Sequence, residues 1–65
     1  MGKSRFWRRV MDEGIYLRGM VYFHPRMKAY VGKKLMVFSD GSNYEVYTTT
    51  GVFICYLKKD DGIKK

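Results

Sequence analysis

From Ile15 onward, apolar residues alternate with polar ones. Ile15, Leu17, Gly19, Val21 and Phe23 share one parity, and Tyr16, Arg18, Met20 and Tyr22 share the other. That is the period of a β-strand with one buried and one wet face, and it predicts a single strand over 15–23. His24-Pro25 interrupts it, because proline lacks an amide hydrogen and biases its predecessor away from the right-handed helical region. Pro25 suits the first position of one helical turn over Arg26, Met27, Lys28, Ala29 and Tyr30, which Gly32 ends. A second strand is predicted over 33–39. Asp40-Gly41-Ser42-Asn43 is then a strong turn signal, since Asp and Asn side chains bond the backbone nearby. A third strand over 44–49, a tight turn at Thr50-Gly51 and a fourth strand over 52–58 complete the pattern.

The two ends of the chain depart from this alternation. Phe6 and Val10, and Trp7 and Met11, are each four residues apart, which makes one apolar stripe on a short helix. Ser4 can cap that helix and Gly14 can stop it. Arg8 and Arg9 reach Asp12 and Glu13 at the same spacing. About ten helical residues do not persist alone in water, so the helix of segment 1–14 is expected to pack on the end of a barrel formed by 15–58. The sharper alternative is a basic amphipathic anchor lying in a membrane, which the composition suits better than the length does. Asp60-Asp61-Gly62 and the closing lysines read as a frayed tail over 59–65. The fold class is therefore mainly β: a small SH3-like antiparallel barrel with a short N-terminal helix. An Sm-like ring subunit is the alternative; an OB-fold normally needs a longer chain.

Composition narrows the function. Sixty-five residues at 7.7 kDa make one domain and exclude a two-domain enzyme. A hydrophobic content of 46%, with 17% aromatic, is enough to attempt a core. One cysteine and one histidine exclude an internal disulfide and a closed zinc site. The net charge of +7 is unevenly spread. Residues 1–34 hold Lys3, Arg5, Arg8, Arg9, Arg18, Arg26, Lys28, Lys33 and Lys34 against Asp12 and Glu13, while the second half balances. A basic half attracts anionic partners such as nucleic acid, an acidic protein or a lipid surface. The plain alternative is a solvated face that only keeps the protein soluble. No secretory leader or membrane span is evident. Met1-Gly2 resembles a myristoylation start, but Phe6 stands where Ser or Thr is needed. Unpaired Cys55 in an apolar run fits a reducing cytoplasm, and a cytoplasmic location is expected.

The run Val21-Tyr22-Phe23-His24-Pro25-Arg26-Met27-Lys28-Ala29-Tyr30-Val31-Gly32-Lys33 resembles the opening of small SH3-like barrel proteins encoded by phages. Tyr44-Glu45-Val46-Tyr47 and Gly51-Val52-Phe53-Ile54 fit the last two strands of that pattern. The resemblance covers 21–57 and leaves out the N-terminal segment. Phe53 stands where those proteins often carry tryptophan, so no tryptophan-based ligand contact carries over. What the resemblance implies is a non-enzymatic adaptor or inhibitor acting in an infected bacterium, in the host cytoplasm.

Candidate chemistry is sparse. A Cys55–His24 nucleophile pair needs a group to orient the imidazole. Mid-strand cysteine is usually a small buried hydrophobe, and a histidine before proline usually makes local hydrogen bonds. Asp60 and Asp61 are adjacent and point apart, so they suit neither acid–base work nor a metal. No Gly-rich phosphate loop or nucleophile elbow occurs. No enzyme, cofactor, metal or small-molecule substrate is expected. What remains is cations interleaved with aromatics. Arg8, Arg9, Arg18, Arg26, Lys28 and Lys34 supply charge, and Tyr16, Tyr22 and Tyr47 supply contact area. Bases stack on tyrosine while lysine and arginine hold phosphates, and Tyr and Arg also dominate protein–protein hot spots. Alternatively, these tyrosines are half-buried ribs of the barrel with wet hydroxyls. The expected partner is nucleic acid, or an acidic host protein that handles nucleic acid, including a host polymerase or defence nuclease that the chain inhibits. An open edge strand makes self-association as a structural subunit a third class.

Overall fold

Alternation at 34–58 builds the larger of two antiparallel sheets. The computed structural model describes residues 4–64; the Met1-Gly2 start, Lys3 and Lys65 lie outside the described residues. The strands are β1 (Ser4–Arg9), β2 (Ile15–Leu17), β3 (Met20–Tyr22), β4 (Lys34–Ser39), β5 (Asn43–Tyr47), β6 (Phe53–Lys58) and β7 (Ile63–Lys64), with 3-10 helices at Pro25–Tyr30 and Lys59–Asp61. One sheet runs β1-β4-β5-β6 and the other β2-β3-β7. Leu35 and Val37 of β4, Tyr44 and Val46 of β5, and Ile54, Cys55 and Leu57 of β6 face inward. They meet Val10, Ile15, Leu17, Tyr22 and Met27 from the rest of the chain in one core. Each aliphatic side chain buried this way contributes about 1.5–3 kcal/mol. The expected class holds: a small, mainly β, barrel-like domain.

Several local expectations held as well. Pro25 opens a 3-10 helix, and the His24 Nδ1 accepts a 3.1 Å hydrogen bond from the Arg26 amide. Met27 pins that helix to the core. At the β4–β5 turn the Asp40 Oδ1 accepts from the amides of Ser42 and Asn43 at 3.1 and 3.0 Å. The β5–β6 turn closes with Gly51 N donating to Thr48 O at 3.0 Å. A bulge in β6 lets Ile54 and Cys55 both turn inward.

Three expectations need correction. The N-terminal helix is a strand: β1 pairs with β4 from Ser4↔Ser39 to Arg9↔Lys34. The four-residue spacing of Phe6/Val10 and Trp7/Met11 favours a helix only while the segment is considered alone. A ten-residue helix is marginal, whereas β4 offers a full ladder of backbone partners along its open edge. The bonding continues past β1, with Val10 N donating to Lys33 O at 2.9 Å and Gly32 N to Val10 O at 2.8 Å. Gly14 then ends a tight turn rather than a helix, exchanging hydrogen bonds with Met11.

The strand expected over 15–23 is a hairpin, β2 and β3, in register Ile15↔Tyr22 and Leu17↔Met20. Its two turn residues, Arg18 and Gly19, have φ of 53° and 78°, the pair of positive values that a type I′ hairpin turn requires. Arginine is an uncommon occupant of that conformation, so the sequence conceals the turn. The third correction concerns the tail. Ile63 pairs with Val21 and Lys64 with Met20. Lys59 ties the chain before them: its amide donates to Ser42 O at 3.1 Å, its ammonium to Asp40 O at 2.6 Å, and its carbonyl accepts from the Tyr22 hydroxyl at 2.9 Å.

Burial shifts two titratable groups of the core. Burial pushes the Cys55 thiol up to about 11, against a small lowering by the Arg26 charge. Burial, with the neighbouring Tyr44 second, also raises Tyr22 above the ordinary tyrosine value. Both are neutral when protonated, so the unfolded chain loses these protons first and the native state is disfavoured as pH rises. For Cys55 stability is full below pH 9 and falls by about 2–3 kcal/mol up to pH 11, with Tyr22 adding to the loss above about pH 10. Urea unfolding at these pH values should show a smaller drop in Cys55→Ala; equal drops would contradict the assignment. A second outcome concerns Gly14, whose φ is +126° and where a Cβ would sit 2.2 Å from the Tyr22 carbonyl oxygen. Gly14→Ala should cost about 3 kcal/mol or more, lowering Tm by roughly 12 °C or more. Gly41→Ala, with open space around it, should leave Tm nearly unchanged.

Candidate nucleic-acid interface

A β-strand presents alternate residues to opposite faces, so the inward set of the four-stranded sheet defines an outward set. On β4 that set is Lys34, Met36 and Phe38, because Leu35 and Val37 are inside. Register extends it: Arg5 lies opposite Phe38, Trp7 opposite Met36, and Arg9 opposite Lys34. On the other side Met36 meets Tyr47 and Phe38 meets Glu45, while Glu45 meets Tyr56, Tyr47 meets Phe53 and Asn43 meets Lys58. One face therefore carries Trp7, Phe38, Tyr47, Phe53 and Tyr56.

The rings on β4, β5 and β6 touch in sequence. Phe38 and Tyr47 are 5.3 Å apart between centroids, Tyr47 and Phe53 5.4 Å, and Phe53 and Tyr56 4.9 Å. Such contacts preorganise the rings and add about 0.5–1.5 kcal/mol each. Even so, Trp7 is 45% exposed, Phe53 42% and Tyr56 62%. Contiguous exposed aromatics on a small domain mark a contact surface. The Arg5 guanidinium lies 5.3 Å from the Trp7 ring centroid. The Tyr47 hydroxyl donates to Glu45 Oε1 at 3.3 Å.

Cations frame the rings at both ends. Arg9 and Lys34 lie opposite each other at one end, and Arg5 and Lys58 close the other. Beside Lys34 a shallow groove is lined by Lys33, Thr48, Thr49 and Thr50, so two ammonium groups stand next to three hydroxyls. Glu45 is the acid on this face. Arg9 opposite Lys34 is a like-charge cross-strand pair, which costs stability unless an anion relieves it.

The sequence-predicted site residues divide between this face and other places. Arg9, Lys34 and Tyr47 come together on it. Arg8 projects at the sheet edge, 4.8 Å from the Phe6 ring centroid, with its guanidinium donating to Trp7 O. Arg18 is exposed at the β2–β3 turn, and Arg26 and Lys28 are exposed on the 3-10 helix. Tyr16 is half-buried opposite Val21 on the smaller sheet. Tyr22 is not a surface residue. It is 3% exposed and packs edge to face on Tyr44 at 5.2 Å, because the hairpin turn places it opposite Ile15 instead of beside Tyr16.

Sequence reasoning missed Arg5, Trp7, Phe38, Phe53, Tyr56 and Lys58. One signal was present: Leu35-Met36-Val37-Phe38 is apolar on both faces, although a small sheet buries only one. The helical reading of 1–14 hid Trp7 and Arg5 from that face. Cys55 and His24 offer little to nucleophilic chemistry, since the thiol is buried and held protonated and the imidazole caps a helix. Among the described residues no three His, Cys, Asp or Glu side chains cluster as a metal site, and no helix is long and apolar enough to cross a membrane.

Comparison with curated proteins and with solved structures gave no match. Residues 3–56 match the family model described as Mu transposase, C-terminal. The match runs from the start of β1 into β6, so it includes the N-terminal strand and every strand of the ring-bearing sheet. The resemblance to phage-encoded proteins is thereby upheld in its coarser part, a relation to a phage-derived family. On a match over most of its length, the chain belongs to the Mu transposase C-terminal family.

Proposed function

We propose that this chain is a non-enzymatic docking domain for nucleic acid, DNA before RNA, and that it works in the cytoplasm. The binding surface is the outer face of the four-stranded sheet. One observation carries the reading: Arg5, Arg9, Lys34 and Lys58 frame that face against the single carboxylate of Glu45. Phosphates bound there relieve the Arg9/Lys34 repulsion, and each neutralised phosphate releases condensed counterions. The family's name points the same way, because a transposase acts on DNA. Arg18, Arg26 and Lys28 lie off the face and add general positive potential, which speeds encounter with a polyanion.

Binding should therefore be dominated by phosphate contacts. With about four phosphates neutralised, log K against log salt should have a slope of roughly −3 for single strands and −3.5 for duplex. Lys34→Ala or Arg5→Ala should weaken binding to all sequences alike and flatten the slope by about one. Arg18→Ala, remote from the face, should change the slope much less. Fluorescence anisotropy over a salt series measures all of these. Binding no tighter than about 10⁻⁴ M at physiological salt for every nucleic acid would contradict the reading.

A further inference from the structure

We propose that the ring-bearing face takes unpaired bases, so that the domain's specific ligand is a single strand and not a duplex. The proposal rests on the docking reading above and adds the chemistry of recognition. A cationic frame alone would serve either form of nucleic acid. The rings between the cations have no use for duplex DNA, whose bases are stacked on each other and present only edges in the grooves. Unpaired bases, in contrast, offer their π-faces to aromatic side chains.

The geometry suits that use. Three spacings between neighbouring strands make the sheet about 14 Å wide. A four-stranded sheet with exposed aromatics stacks about two or three bases. Trp7 on β1 and Phe53 and Tyr56 on β6 are the exposed rings, at 45%, 42% and 62%. They flank half-buried Phe38 and Tyr47; Tyr47 packs edge to face on Phe53, and Phe38 packs edge to face on Tyr47. A nucleic-acid strand lying along the β-strand direction finds Arg9 beside Lys34 at one end, Arg5 and Lys58 on the two edge strands at the other, and rings between. A second copy of this chain is the poorer occupant. It would bring the same four cations and one acid against themselves, and exposed like charges repel.

The chain supplies its own reporter, since Trp7 is its one tryptophan. The full-length protein is titrated at one salt concentration with an oligothymidine of about 15 nucleotides, with a duplex of equal length, and with an abasic strand carrying the same phosphates. The expected result is quenching of Trp7 emission by oligothymidine and little change with the duplex or the abasic strand. The abasic strand should bind at least about 10-fold more weakly than oligothymidine. Tyr56→Ala and Phe53→Ala should each weaken oligothymidine binding about 5- to 150-fold, with duplex binding changed less than about twofold and Tyr56→Phe close to the parent. If the abasic strand binds as well as oligothymidine, stacking is overturned while phosphate docking stands. If no nucleic acid binds in this series, both readings fall and the face belongs to a protein partner. The abasic comparison uses the unmodified chain, so it decides the matter even if a variant fails to fold.

Discussion

The two sheets meet where Tyr22 of β3 lies edge to face against Tyr44 of β5, 5.2 Å between ring centroids. Tyr44 is buried and also takes Phe6 against its ring at 6.4 Å. The seam therefore draws together β1, β3 and β5, which come from three separate parts of the chain. It depends on a single local feature, the two-residue turn at Arg18-Gly19. A continuous strand would send Tyr22 outward with Tyr16; the hairpin instead sets Tyr22 opposite Ile15 and inside. The Tyr22 hydroxyl is then satisfied by the Lys59 carbonyl, so burying it leaves no orphaned polar group. That same bond ties down the C-terminal segment.

Lys59 shows how a small domain secures a polar end. Its amide and ammonium both hold the β4–β5 turn, at Ser42 and Asp40, its carbonyl holds Tyr22 of β3, and the ammonium lies 5.0 Å from the Tyr44 ring centroid. A charge-assisted hydrogen bond and a cation–π contact are each worth about 1–2 kcal/mol when partly buried. In a chain of this length such terms are a sizeable share of a marginal total.

The outer face of the larger sheet has the opposite economy. Large rings stay in water, and Arg9 faces Lys34 across a strand pair. Exposed ring surface and facing like charges are unfavourable for the isolated domain, offset in part by the ring contacts and by the Arg9 guanidinium donating to Gly32 O at 2.7 Å. Both become favourable when an anionic, planar-faced ligand covers the sheet, because it removes apolar surface from water and screens the paired cations. The core and this face are two sides of the same strands. In β4 the inward Leu35 and Val37 hold the fold, and the outward Lys34, Met36 and Phe38 present the surface.

Alternation and turn chemistry by themselves determined the class, the three strands after Gly32, the Pro25 helix and the Asp40 turn, because each rests on interactions within a few residues. The buried state of Cys55 was legible for the same reason. The fate of 4–9 was decided by tertiary structure. Its helical spacing is real, but a short helix is worth little alone, and the open edge of β4 supplies a ladder that no local pattern announces. The turn at Arg18-Gly19 escaped notice because arginine rarely adopts a positive φ, and here strand pairing imposes it. The candidate surface depended on both: until β1 is known to pair with β4, Trp7 and Arg5 have no place beside Phe53 and Tyr56. Sequence shows which residues can stack on bases or hold phosphates, while only register across four strands decides which of them share a face.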